Sequence, residues 1–167
     1  VTRSSHLPFS VGSNSGGLSW DGKTSDDDVL IGFERCDWDY IETMQMQMVE
    51  GRFFETGFST DTAAVVINET AVKTMGMENP VGRWIAFNEG RLKFNIIGVI
   101  KDFNFLRLNN QIEPLSMFYS PDDYNFMLIR VNGQRTQEAI AHIEKTWNEF
   151  APAFPFEFKF LDESYER

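Results

Sequence analysis

Three methionines at alternate positions are the residues whose type and spacing best suit chemistry in this chain. Met44, Met46 and Met48 carry thioether sulfurs, which are soft ligands for Cu(I). The same alternation is typical of a β-strand with one buried face, on which flexible apolar side chains pack into a core. We favour core packing and keep copper binding as the alternative. A Cu(I) titration of a variant with leucine at all three positions separates the two.

The remaining groups with catalytic or metal-binding chemistry lack the spacing that such sites require. His6 and His142 are too few for a three-histidine site, and the sequence has no HExxH or paired Cys/His motif. The acidic clusters at 26–28 and 37–39 lack the alternating oxygen ligands and the glycine turn of a calcium loop. No glycine-rich phosphate loop is present. We therefore predict a protein that is not an enzyme and that has no structural metal and no cofactor.

The composition is that of a folded domain without affinity for nucleic acid. The chain has 167 residues, of which 42% are hydrophobic and 16 are phenylalanine, and this suits one or two globular units. Its formal net charge of -10 argues against nucleic acid as a partner, because that binding requires a basic face. Cys36 is the single cysteine, so no intrachain disulfide can form. No apolar run approaches the roughly 20 residues that a membrane-spanning helix needs.

Hydrophobic periodicity predicts short strands interrupted by three helices. The predicted strands cover 29–33, 44–48, 63–67, 83–88, 92–101, 115–119, 126–131 and 156–161. The predicted helices are a short one at 37–43, a two-turn helix after Asn68, and a longer one that Thr136 caps. The alternating phenylalanines of the last predicted strand indicate that one of its faces is buried.

The two-turn helix after Asn68 has an apolar face formed by Val72 and Met75. The two segments that follow it, 83–88 and 92–101, read as a β-hairpin. We expect the helix to dock on this hairpin and to bury Val72 and Met75 against residues such as Ile85 or Ile97.

Short motifs in a fixed order resemble the MacB-like periplasmic core domain of FtsX-like ABC transporter permeases. They are Gly51-Arg-Phe-Phe54, Ile67-Asn-Glu-Thr70, Glu78-Asn-Pro-Val-Gly82, Ile97-Gly-Val99 with Lys101-Asp-Phe103, Ile112-Glu-Pro-Leu115 and Phe160-Leu-Asp-Glu163. Their order and spacing together make the resemblance specific over most of the chain. It implies that the motif residues are caps, turns and core positions without a catalytic role. The residues carried over are Gly51, Arg52, Asn68, Glu69, Asn79, Pro80, Gly82, Gly98, Lys101, Asp102, Phe103, Glu113 and Pro114.

The resemblance implies an α+β fold with two subdomains and with mixed and antiparallel sheets. Residues 1–32 and 101–167 would form a porter-like α/β subdomain, and residues 33–100 an inserted small α/β subdomain, the Sabre. A hinge is expected near Gly32 and Lys101–Asp102. Family members usually carry a strand and a helix before the stretch that resembles Val1–Ser5, so we expect the porter-like subdomain to lack these two elements here.

The resemblance also implies a function, that of a non-enzymatic extracytoplasmic domain at the periplasmic face of the inner membrane. Such a domain relays ATP-driven movement to substrate export or to a partner protein. The implied partners are the membrane helices of the same chain, an ABC ATPase subunit or domain and a second permease copy. Some members add a periplasmic adaptor and an outer-membrane channel.

A second class of function stays open, an extracytoplasmic ligand-sensing module of a membrane receptor. The sequence that flanks this domain in its full-length chain separates the two classes. A permease has membrane helices just beyond both ends of the domain, whereas a receptor has a signalling domain downstream.

Overall fold

The structure is a computed structural model, and it describes residues 1–8, 12–14, 18–24, 29–103 and 112–161. The acidic cluster at 26–28 and the last two residues of the final motif, Asp162 and Glu163, lie outside these ranges. The chain divides into two compact units, Val1–Leu128 and Ile129–Arg167.

The strands of the described residues all belong to the first unit and form one sheet. They are β1 (Thr2–Ser4), β2 (Gly12–Asn14), β3 (Ser19–Trp20), β4 (Ile31–Cys36), β5 (Met48–Gly51), β6 (Ala64–Asn68), β7 (Trp84–Phe87), β8 (Leu92–Ile100), β9 (Leu115–Tyr119) and β10 (Phe126–Leu128). The predicted hairpin is confirmed, since β7 and β8 pair antiparallel across a turn at 88–91. The strand predicted at 126–131 ends at Leu128.

The sheet has mixed pairing. Its strand order is β10-β1-β4-β9-β6-β8-β7-β3, with β2 also paired to β4 and β5 also paired to β8. The pairs β4–β9 and β6–β8 are parallel, and the others are antiparallel. A mixed sheet with few helices confirms the predicted α+β class. The division into porter-like and Sabre subdomains stays a prediction. Its first boundary, between residues 32 and 33, falls inside β4, where Gly32 pairs with Ser13 on one side and Leu115 on the other.

Apolar cores lie on both faces of the sheet, and each receives residues from one helix of the first unit. These helices are α1 (Tyr40–Met44) and α2 (Glu69–Thr74), and the second unit contains α3 (Thr136–Phe150). The fully buried β6 alternates between the two cores: Val65 and Ile67 lie in one, and Ala64 and Val66 lie in the other. We name them the α2-side core and the α1-side core after the helix that contributes to each.

The burial predicted for the two-turn helix is confirmed for Met75, but the strands in closest contact with α2 are β6 and β9 rather than those of the β7–β8 hairpin. Met75 is buried in the α2-side core together with Ile85, and Val72 packs against the same cluster. Ile97, the other residue suggested as a contact, lies against the α1-side core instead. The pairing of β6 with β8 shifts register next to this position, between Val65 and Val66.

The strand predicted for the three methionines is wrong over most of its length. Met44 is the last residue of α1, and Gln45 takes a left-handed conformation with φ of 56°. The amide of Gln45 donates to the Glu42 carbonyl, and the amide of Met46 to the Ile41 carbonyl, as in a helix C-cap. Only Met48 enters a strand. All three methionines are nonetheless half-buried against the α1-side core, as core packing requires.

Thr136 does not cap α3 with its side chain. It is the first residue of the helix, and its hydroxyl donates to the Gly133 carbonyl at 3.1 Å. A 3₁₀ turn, Gly133–Arg135, precedes the helix, and Asn132 caps that turn by accepting from the Gln134 amide at 3.0 Å. The sequence signal for a helix start was therefore correct in place, but the capping side chain lies four residues earlier.

The strand predicted at 156–161 is also wrong. The structure assigns no strand to 151–160, where the alternating rings contact one another. Phe156 and Phe158 stack with centroids 5.6 Å apart, and Phe158 meets Phe160 edge-on at 5.5 Å. Phe158 is 51% exposed. A segment with period-two alternation forms a strand only if a partner strand supplies hydrogen bonds. None of the described strands pairs with this segment.

Candidate functional site

Many of the family-motif residues meet where β6 ends and α2 begins. Asn68, fully buried, is the last residue of β6 and the N-cap of α2, as predicted. Its Oδ1 accepts from the Ala71 amide and from the Leu115 amide, both at 2.9 Å. Its Nδ2 donates to the Glu113 carbonyl at 2.9 Å. One amide side chain therefore fixes the helix start to the backbone of the motif at 112–115.

Asp102 fastens the same helix start from the end of β8. Its carboxylate accepts from the Thr70 amide at 2.9 Å and from the Thr70 hydroxyl at 2.8 Å. In return, the Asp102 amide donates to Glu69 Oε2 at 3.0 Å. A carboxylate beside the free amides of a helix start is favourably placed, because those amides carry partial positive charge. We call Asn68, Glu69, Thr70, Asp102 and Glu113 the α2 clamp.

A second group of motif residues lets β5 approach β8 closely. Gly51 pairs with Gly98, and a Cβ at Gly51 would lie 2.2 Å from the Ile97 carbonyl oxygen. A Cβ at Gly98 would lie 2.3 Å from the Arg52 carbonyl oxygen. Gly51 also has φ of +70°, which L side chains rarely adopt. Both positions therefore require glycine for steric reasons.

Arg52 forms a bidentate ion pair with Asp61, a buried residue that the motifs do not include. Arg52 Nη2 lies 2.6 Å from Asp61 Oδ1, and Nη1 lies 3.0 Å from Oδ2. The Glu55 amide also donates to Asp61 Oδ2 at 3.0 Å. Burial opposes ionisation of Asp61, but the bonds from Arg52 and Glu55 outweigh it and lower the pKa of the carboxyl. The pair joins the two ends of the loop at 52–63.

The third group of motif residues makes the turn into β7. Asn79 and Gly82 have φ of 51° and 90°, and the Arg83 amide donates to the Pro80 carbonyl at 3.0 Å. The Gly82 amide then donates to the Ile96 carbonyl at 2.8 Å, which connects the turn to β8. Pro80 is buried. Of the remaining motif residues, Lys101 donates its amide to the Gln47 carbonyl at 2.8 Å, and Phe103 packs against the α1-side core.

Sequence reasoning missed a buried polar seam between the start of the chain and β4. We call Thr2–His6 with Glu34 and Asp37 the N-terminal seam. Glu34 is 1% exposed, and its Oε1 accepts from the Ser5 amide at 3.0 Å, the Ser5 hydroxyl at 2.9 Å and the His6 amide at 3.1 Å. Burial raises the pKa of Glu34 to about 7, although the bonds from His6 and Ser5 act in the opposite direction.

Asp37 holds the other end of the seam. It accepts from the Thr2 hydroxyl and, at 3.1 Å each, from the amide and the Nε of Arg3. Period-two alternation continued beyond Phe33 would have placed Glu34 on the buried side of β4 with Cys36. That signal was present in the sequence, but a charged residue is rarely fully buried.

The seam contains a serine next to a histidine and a glutamate, but its geometry is that of a structural network. Ser5 Oγ lies 2.7 Å from His6 Nδ1 and 2.9 Å from Glu34 Oε1. Ser5 is only 3% exposed, so a substrate has no access to its hydroxyl. Among the described residues, no cluster of three or more His, Cys, Asp or Glu side chains is arranged to hold a metal ion.

Comparison with known proteins identifies the family. A family model described as the MacB-like periplasmic core domain matches residues 5–146. Within the described ranges, no helix has the length and apolar character needed to cross a membrane. No curated protein sequence matches this chain.

Solved structures share the fold at low sequence identity. The extracellular domain of the noncanonical ABC-type transporter YknZ from Gram-positive bacteria is 13% identical, with a TM-score of 0.55 over 82% of this chain and 74% of that one. A domain of a Porphyromonas gingivalis protein assigned as a permease is 12% identical, with a TM-score of 0.51 over 99% and 81%.

The periplasmic region of MacB from Actinobacillus actinomycetemcomitans is 19% identical, with a TM-score of 0.48 over 89% of this chain. The chain spans 66% of that region, which is less than two thirds of its length. The match of the family model covers most of the chain and the motifs whose geometry is described above. This chain therefore belongs to the family of MacB-like periplasmic core domains.

Proposed function

We propose that this domain is a non-enzymatic mechanical part of an ABC permease. It passes ATP-driven movement of the membrane helices to substrate export or to a partner protein. Its partners are the membrane helices of the same chain, the ATPase and a second permease copy, and a periplasmic adaptor and an outer-membrane channel extend the path. The site of action is the periplasmic face of the inner membrane.

The proposal rests on one observation: the motif side chains direct their polar atoms at other parts of the domain. In the α2 clamp, Asn68 and Asp102 direct their side-chain oxygens at backbone amides of other segments. Arg52 directs its guanidinium at a buried carboxylate. Residues that bind or transform a ligand would instead present such atoms to an accessible cavity. The motif residues thus serve the stiffness of the domain.

A stiff domain is what a mechanical relay needs. The sheet continues through the first unit from β10 to β3, and both of its faces are covered by apolar cores. Close-packed interiors have low compressibility and transmit displacement. The α2 clamp joins the ends of β6 and β8 to the chain before β9, so movement of one strand is passed to the others.

The test is a comparison of transport with ATP hydrolysis in the reconstituted full-length permease and its ATPase. Asp102→Asn replaces one acceptor oxygen by an NH2 group, so the clamp loses a bond to Thr70. We expect fewer substrate molecules transported per ATP while basal hydrolysis is largely retained. Glu50→Gln, at an exposed position of β5, is the matched control and should leave the ratio unchanged.

Two outcomes would contradict the relay. In the first, Asp102→Asn lowers transport and hydrolysis by the same factor. In the second, it changes neither although the clamp is loosened. Thermal unfolding of the isolated domain supplies the needed check. A variant that is largely unfolded at the assay temperature is replaced by Thr70→Val, which keeps the shape of the side chain and removes only the hydroxyl bond to Asp102.

A feature of the second unit favours the alternative, a ligand-sensing module. An open groove of about 620 Å³ lies beside the end of α3. Its lining is mostly apolar, and its residues are Trp147, Ala151, Phe154, Pro155 and Glu157. The groove is open to solvent, whereas small-molecule sites usually enclose most of their ligand, so the alternative rests on the apolar lining alone. Saturable binding of a small ligand that Trp147→Ala abolishes, together with a signalling domain downstream in the full-length chain, would favour this alternative over the relay.

A further inference from the structure

Two buried side-chain oxygens of the described residues have no hydrogen-bond partner, and both belong to residues that contact the start of the chain. They are Glu34 Oε2 and the hydroxyl of Tyr124. Glu34 holds Ser5 and His6 through its other oxygen, and the Arg3 guanidinium lies 4.7 Å from the centre of the Tyr124 ring. An unpaired polar atom in the interior is costly, so each such case asks for an explanation.

We propose that Glu34 is a proton-operated latch that fastens the segment Ser5–His6 to β4. The latch is closed while the Glu34 carboxyl is neutral, and release of its proton to solvent opens it. This inference goes beyond the proposed function and does not depend on it, since opening and closing are properties of this domain alone.

The distribution of donors around the carboxyl supports a closed state that holds a proton. Three donors, all from Ser5 and His6, converge on Oε1, and the Ser5 amide is shared with the Arg35 carbonyl at 2.8 Å. The proton of the neutral acid therefore belongs on Oε2, which no described donor reaches. Ionisation would place charge on a buried oxygen that no described donor reaches, and this is unfavourable in the interior. Opening the segment hydrates the carboxylate and removes the penalty.

The pKa of Glu34, raised by burial to about 7 from 4.5, agrees with this geometry, and linkage makes the closed state progressively weaker as the pH rises between these two values. His6 Nδ1 lies 3.9 Å from Glu34 Oε1, but burial and the charge of Arg35 lower the pKa of His6. The imidazole is therefore mostly neutral where the latch operates, and it adds little positive charge that would favour ionised Glu34.

The other charged and titratable groups near the seam are already engaged or are neutral. Arg35 pairs with Asp123 at 3.2 Å, and Arg3 pairs with Asp37 at 3.1 Å. Burial raises the pKa of Cys36, with a contribution from the Glu34 charge, so its thiol stays protonated. Burial likewise raises the pKa of Tyr124, so the phenol stays neutral. Near pH 7, Glu34 is thus the member of the seam that changes charge.

Amide hydrogen exchange of this 167-residue chain tests the latch. The reporters are the amides of Ser5, His6 and Arg35, because Ser5 and His6 donate to Glu34 and Arg35 donates to Ser5 Oγ. With a carboxyl pKa of about 7 when closed and 4.5 when open, linkage predicts that protection falls roughly tenfold from pH 6 to pH 8, after correction for intrinsic exchange. The amide of Val66, at the centre of the sheet, should show no such fall.

Two variants separate the carboxyl from its neighbours. Glu34→Gln keeps an acceptor oxygen but cannot ionise, so the protection of the three reporters should no longer change with pH. His6→Asn removes the imidazole and should keep the roughly tenfold fall. A flat wild-type profile, or a fall that survives in Glu34→Gln, overturns the proposal. If Glu34→Gln does not fold, the carboxyl carbon resonance of wild-type Glu34 decides: a titration midpoint near 7 supports the latch, and one below about 5 overturns it.

Discussion

Asn68 illustrates how one side chain can determine the geometry of three segments. Both ends of its amide are satisfied, by the Ala71 and Leu115 amides at Oδ1 and by the Glu113 carbonyl at Nδ2. Because the residue is fully buried, water cannot replace any partner that is lost. The N-cap was predictable from the sequence, whereas the two contacts to 113–115 were not, since they join residues more than forty positions apart.

Asn68→Ala should therefore be more damaging than the loss of a typical helix cap. We expect the free energy of unfolding to fall by about 2–4 kcal/mol, because a cap is lost and two further buried backbone groups become unpaired. Chemical denaturation measures this change. Lys73→Ala, at an exposed position of the same helix, is the control and should change stability by less than about 0.5 kcal/mol. Equal effects of the two substitutions would contradict the role assigned to Asn68.

Asp61 should make the stability depend on pH in the acid range. Its folded pKa is lowered below the ordinary value of 3.8, so the ionised carboxyl stabilises the fold above that pH and the contribution is lost as the pH falls through the folded pKa. The stability difference between wild type and Asp61→Asn should hence shrink on acidification from pH 6 to pH 3. Urea unfolding at each pH measures it.

The Arg52→Met background is the control for this prediction. It removes the bidentate partner that lies 2.6 Å from Asp61 and that opposes the effect of burial. In that background, the stability difference that Asp61→Asn produces should no longer diminish with acidification. An unchanged pH dependence would mean that Arg52 does not set the pKa of Asp61.

At the scale of elements, local signals predicted the centre of the first unit well. The apolar run of β6, the cap of α2 and the turn between β7 and β8 each depend on residues close in sequence, and each was confirmed. The failures occurred where a distant partner decides. The segment 156–161 alternates like a strand but pairs with no described strand, and the methionine alternation is interrupted by the left-handed Gln45.

The packing of α2 against the α2-side core gives a prediction for one element. Val72→Asp places a charge against the α2-side core and should lower the free energy of unfolding by about 2–4 kcal/mol. The same substitution at Val49, which is 54% exposed on β5, should change it by less than about 1 kcal/mol. Thermal or chemical unfolding compares them. A Val72→Asp variant that unfolds like the parent would exclude the packing of Val72 against this core.

At the scale of the whole molecule, the buried apolar residues of the described chain belong to the first unit. The second unit has no buried residue in α3, and Phe150, Phe154 and Phe158 are exposed by 81%, 66% and 51%. The sequence suggested the opposite for the phenylalanine run, because alternation alone does not tell a core strand from a row of rings that stack on one another. Sequence patterns thus located apolar segments but not the core that each one joins.

Paired substitutions should locate the core experimentally. Met117→Ala, at a fully buried position of β9, should cost about 2–5 kcal/mol of stability. Phe158→Ala should cost less than about 1 kcal/mol, although the side chain removed is larger, because half of the ring is already in water. Calorimetry of both variants compares the costs. A penalty for Phe158→Ala as large as that for Met117→Ala would place the phenylalanine run in a core.

The position of β9 between β4 and β6 sets the order in which the chain can mature during synthesis. β4 and β6 end at Cys36 and Asn68, yet the strand that joins them begins only at Leu115. A ribosome therefore releases both strands well before their common neighbour exists. Until that neighbour emerges, β4 keeps one edge of unpaired amides and carbonyls, and β6 keeps both edges unpaired until its other neighbour, β8, has also been made. Such edges readily pair with foreign strands. The domain is consequently most open to wrong strand pairing while residues 69–114 are not yet available to it.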